Sequence, residues 1–242
     1  MNSVAKKMKK AFTLTELLVA IGLLAAVLTA STIIFHYSIE AHRTAMATAE
    51  IMHSVRAITD QLNLQLAGLR KDGCLMIGAS TNGSNNLKFF SVGDFQSSFK
   101  DDVRSNIAWM YFGPAENDSN NLLLDIKLLT PGESGVDVDY EDKSFIQYQE
   151  DIINGNYPDA VHDIDLDNPY NLLAQRISDI EIEWTDGSVG AVYKNILWQG
   201  SKTWEPTDND WPKALKFRFT IHDSKNILKG GKTFEHIVYI GN

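Results

Sequence analysis

Residues 11–35 form the longest apolar run in the chain, AFTLTELLVAIGLLAAVLTASTIIF, and Glu16 is its single charge. A helix needs about 20 mostly apolar residues to cross the hydrocarbon core of a bilayer. The run therefore predicts a membrane-spanning helix. The helical pattern continues beyond it. Residues 36–69 contain no proline and no glycine before Gly68. Met52, Val55, Ile58 or Thr59, Leu62, Leu66 and Leu69 recur at spacings of three and four. That is an apolar stripe about 100° wide, the mark of a helix laid on a core. The opposite face carries Glu50, His53, Arg56, Asp60, Gln61 and Gln65. Gly68 and the cluster Lys71-Asp72-Gly73 end the pattern. A helix from Phe12 to about Leu69 would be roughly 85 Å long at 1.5 Å per residue. A coiled-coil stalk is the competing reading, and the short, irregular heptads argue against it.

After Gly73 the texture changes to short apolar runs between polar loops. Residues 87–92, 107–112, 122–129 and 145–148 read as strands. Residues 79–86 and 115–121, rich in Gly, Ser, Asn and Asp, read as exposed loops. In 177–184, Ile180, Ile182 and Trp184 alternate with Glu181 and Glu183, so one face is buried and one is wet. The cleanest alternation lies in 215–221. A last strand falls near 234–240, with a turn at Gly230-Gly231. The expected class is α+β: one long N-terminal helix against mainly antiparallel strands. The expected parts are a basic leader (1–11), a membrane-spanning helix (12–35), its amphipathic continuation (36–70) and a β-rich globular domain (71–242).

Charge adds direction. The chain has 242 residues, 22 basic and 31 acidic, for a net of −9. This excludes a nucleic-acid surface from the expected functions. Lys6, Lys7, Lys9 and Lys10 precede the apolar run. Without them, 18 basic and 31 acidic residues remain, a net of −13. Basic residues next to a span stay cytoplasmic, so everything after residue 35 is expected outside the inner membrane. A cleaved secretory signal fits less well. The run exceeds the usual apolar length of about 7–15 residues, and a cut after Ala30 would put the large Leu28 at the third position back. Cys74 is the single cysteine, so no intrachain disulfide forms, and it reads as a small buried apolar residue.

Glu16 calls for its own explanation. A carboxylate within a spanning helix costs roughly 2.5–3.5 kcal/mol at mid-membrane and less near an end. A cationic partner offsets that cost. A cut between Ala11 and Phe12 would create a new amine at Phe12. In staggered parallel helices, Glu16 of one subunit would meet the Phe12 amine of the next and set the register.

The run KKMKKAFTLTELLVAI resembles the class III signal of type IV pilins and type II secretion pseudopilins. That signal has a basic leader, a small residue, Phe, and Glu at the fifth mature position. The resemblance implies cleavage by a prepilin peptidase at Ala11/Phe12, N-methylation of Phe12 and an assembly role for Glu16. The chain has Ala11 where the family carries Gly. Toward the C-terminus come Trp184, Asp186-Gly187, Trp198, Trp204, Trp211-Pro212 and the alternating strand from Leu215. This order resembles the J-type minor pseudopilin, general secretion pathway protein J. No resemblance covers 73–171. The implied protein is non-catalytic and sits near the tip of a pseudopilus, where it helps start the filament. Its implied partners are minor and major pseudopilins, an inner-membrane assembly platform and prepilin peptidase. Its implied location is the bacterial inner membrane, single-pass, with the globular domain in the periplasm. A minor pilin of a type IV pilus or DNA-uptake machine shares the anchor. From another class, a membrane-anchored periplasmic binding or adhesion module would make Glu16 incidental.

Other chemistry is thin. Asp163, Asp165 and Asp167 match the first half of an EF-hand, but Asn168 replaces its glycine and Ala174 its final glutamate. A solvated acidic loop is expected there, and likewise over 136–142 with Asp137, Asp139, Glu141 and Asp142. His36, His42, His53, His162, His222 and His236 show no metal-ligand spacing. No G-x-S-x-G, P-loop or dinucleotide motif occurs, and nothing in the sequence sets a nucleophile beside a base. The five tryptophans read as core or interface anchors. No cofactor, no metal and no enzymatic activity are expected.

Overall fold

The computed structural model describes residues 13–79, 84–115, 117–133, 139–154, 171–189, 196–208 and 210–240. Helix α1 (Leu14–Ala67) is continuous over 54 residues. The chain divides into two compact units, Met1–Met46 and Ala47–Asn242.

In the first unit, none of residues 13–46 is buried. Leu14, Leu18, Leu23, Ile34 and Phe35 all stand exposed. The hydroxyls of Thr29 and Thr32 donate to the Ala25 and Leu28 carbonyls at 2.8 Å each. Those bonds satisfy both hydroxyl donors on an apolar surface.

In the second unit, α1 buries Ala47, Ile51, Ile58, Leu62 and Leu66. The stripe is turned slightly from the expected one: Ile51 points inward and Met52 is exposed. Gln65, expected on the wet face, is buried, and its carbonyl accepts from Ser91 Oγ at 2.8 Å. The helix ends at Ala67, before the expected Leu69, because the chain enters the sheet there. The Val92 amide donates to the Gly68 carbonyl at 2.7 Å, and the Arg70 amide to the Phe90 carbonyl at 3.0 Å. A Cβ at Gly68 would lie 2.2 Å from the Val92 oxygen, so only glycine fits.

The first sheet holds seven strands: β1 (Leu75–Ala79), β2 (Asn85–Gln96), β3 (Arg104–Pro114), β4 (Asn121–Leu129), β5 (Tyr140–Glu141), β6 (Leu172–Gln175) and β8 (Lys202–Trp204). Their order is β5-β4-β3-β2-β1-β8, with β6 also on β4. Among the described residues, only the short β4–β5 pair is parallel. The second sheet is β7 (Ile177–Thr185), β9 (Ala214–Ile221) and β10 (Lys232–Tyr239), in the order β10-β9-β7. This is an α+β, pilin-like arrangement: a long helix, then an antiparallel β domain.

Residues 145–148 are not a strand. They open helix α2 (Phe145–Ile153). Ser144 and Gln147 form its capping box: the Ser144 amide donates to Gln147 Oε1 at 2.7 Å and the Gln147 amide to Ser144 Oγ at 3.3 Å. Phe145 and Tyr148, three apart, face the core together. A four-residue stretch with three apolar side chains has the same look in either geometry.

Alternation separates the faces of the first sheet. Phe89, Ala108, Met110 and Phe112 share the main core with the α1 stripe and with Ile180, Phe217 and Phe219 of the second sheet. Phe90, Trp109 and Leu129 face the other way, against Cys74, Phe145 and Tyr148. Burial on both sides explains why β3 reads as a continuous apolar run. Cys74 is fully buried, and burial pushes its thiol up to about 12, which suits the inert reading.

Candidate functional site

The residues that carry the strongest chemical signal lie at the start of α1. Ala11 and Phe12 fall outside the described residues. Thr13 and Glu16 are described, and they form a capping box. The Thr13 amide donates to Glu16 Oε2 at 2.9 Å, and the Thr13 hydroxyl donates to the same oxygen at 2.9 Å. In return the Glu16 amide donates to Thr13 Oγ1 at 3.3 Å. The first turn of a helix has amides with no partner inside the helix, and the box satisfies two of them. Sequence reasoning missed this role, although T-x-x-E ahead of an apolar run is its written form. It changes the account of the acid. Glu16 already has donors within its own chain, so its presence in an apolar helix does not depend on a second subunit alone.

A second carboxylate of α1 is equally committed. Glu50 accepts from Arg176 Nη2 at 2.9 Å, from the Ser224 amide at 3.1 Å and from Ser224 Oγ at 2.9 Å. Arg176 stands where the chain leaves β6 for β7 and changes sheets, and its φ is +58°. Glu50 thus ties α1 to that corner.

The acidic stretches resolve differently. Residues 159–168, with Asp163, Asp165 and Asp167, lie outside the described residues, as do Asp137 and His162. Asp139 is not solvated. It is buried and accepts from Ser97 Oγ and the Ser98 amide at 2.6 Å each. Glu141 accepts from the Tyr148 hydroxyl, and Asp142 from the Gly132 amide at 2.6 Å. Sequence adjacency had grouped these acids, while the fold gives Asp139, Glu141 and Asp142 separate structural bonds. Among the described residues no three His, Cys, Asp or Glu side chains are grouped to hold a metal.

The structure does bring one hydroxyl to a histidine. Ser178 Oγ lies 3.1 Å from His222 Nε2, across 44 residues of chain. Ser178 Oγ also donates to Asp179 Oδ2 at 2.9 Å. With its proton there, the serine accepts from His222, the reverse of what an activating base requires. His236 Nε2 lies 2.9 Å from Asn63 Oδ1, and burial lowers its pKa while Asp60 opposes that shift. The tryptophans are largely core, as expected. Trp109, Trp184 and Trp204 are buried, and the Trp184 and Trp204 rings meet edge to face at 4.9 Å. Lys202 Nζ lies 4.9 and 5.0 Å from those two ring centres.

Residues 6–32 match the family model of the prokaryotic N-terminal methylation motif. Comparison with curated proteins and with solved structures finds no match. The matched segment contains the basic run, Ala11, Phe12 and the Thr13–Glu16 box, and it supports a type IV pilin-like protein. Proteins with this motif are structural subunits, and it implies assembly with other pilin subunits and processing by a prepilin peptidase. The apolar half of α1 is long enough to serve as a single-pass membrane anchor.

Proposed function

We propose that this chain is a non-catalytic minor pseudopilin of a type II secretion pseudopilus, placed near the tip, where it helps start the filament that exports proteins. The observation that carries the reading is Glu16 at the fifth position after Ala11, inside the matched methylation motif. In this reading, residues 1–11 are a leader removed by prepilin peptidase at Ala11/Phe12, and Phe12 is then N-methylated. Residues 12–35 span the inner membrane and later the filament core. Residues 36–67 continue the helix, and 71–242 form the periplasmic domain.

Glu16 is the assembly residue. Its Oε2 is occupied by Thr13, and Oε1 meets the Phe12 amine of the neighbouring subunit. Partners are minor and major pseudopilins and the inner-membrane assembly platform. The order of Trp184, Trp198, Trp204, Trp211-Pro212 and the β9 strand favours secretion over a minor pilin of a type IV pilus or DNA-uptake machine, which would share the anchor. Intact mass of the protein from membranes tests the reading. A chain starting at N-methylated Phe12 is expected, and an uncut chain starting at Met1 would overturn it.

A further inference from the structure

We draw no further inference here: the strongest candidate, the open edge of the second sheet at β10 with the exposed Ile237 and Tyr239, carries nothing because nothing in the structure shows which chain covers it.

Discussion

The two stretches of α1 use their apolar residues in opposite ways. Residues 14–35 are apolar nearly all round, and nothing from 14 to 46 is buried in its own unit. Residues 47–67 are apolar on one stripe and bury it in the β domain. A helix apolar on every side has no preferred face, so its surroundings as a whole must be apolar. A striped helix needs only one covered face. One continuous helix therefore carries two kinds of surface, and its burial begins at Ala47.

That contrast can be broken in several places. The largest effect is expected at Glu16→Ala. If the acid pairs with a neighbour's amine, its loss leaves that ammonium unpaired among apolar helices, which costs about 3–5 kcal/mol and lowers filament incorporation by about 100-fold or more. Membrane insertion stays intact. Counting subunits in sheared filaments against membranes checks this, and equal incorporation would remove the acid's assembly role.

Next comes the stripe itself. Ile58→Ala should lower the unfolding free energy of the β domain by about 2–5 kcal/mol, since Ile58 is fully buried. Leu24→Ala, on the exposed stretch, should leave that unfolding within about 0.5 kcal/mol. Denaturant titration in detergent compares the two, and a similar loss at both positions would erase the distinction. Gly68→Ala should also destabilise the domain, by about 2 kcal/mol or more, because the new Cβ meets the Val92 carbonyl.

Asp125 on β4 gives a pH test of the β domain. Burial pushes its carboxyl from 3.8 up to about 6. The fold favours the protonated acid, so the stability it contributes is complete below pH 4 and is lost as pH rises through 6. Asp125→Asn should therefore raise stability at pH 7.5 by up to about 3 kcal/mol and change little at pH 4. Equal gains at both pH values would show that the charge is not the cause.

The smallest effect is expected at Thr13→Val, which removes the cap hydroxyl. It should cost about 1 kcal/mol of helix order at the first turn, with faster amide exchange over residues 14–17 and an unchanged β domain.

Much of this was legible in advance. The apolar run, its basic flank and Glu16 identify the anchor because they depend on composition and short spacing alone. The wet and dry faces of 177–184 were equally readable, and Glu181 and Glu235 both pair with Arg218 on the outer face of the second sheet. Short elements were not. Strands β1, β6 and β8 have five, four and three residues, too few for a period to show. Helix α2 hid behind a short stretch rich in apolar residues, and only its capping box distinguished it.

Local sequence thus determined that an all-apolar helix passes into a striped one, and that its first turn would carry an acid, because helix period, caps and membrane length all act over a few residues. The tertiary structure decided what those groups touch. Gln65 is buried because Ser91 reaches its carbonyl across 26 residues of chain. Glu50 is a clasp because the change of sheets at Arg176 brings two distant donors to it. Asp139 is internal because a turn 41 residues earlier needs its oxygens. Each of those bonds joins groups far apart in the chain, and such distances are set by packing and not by the order of residues.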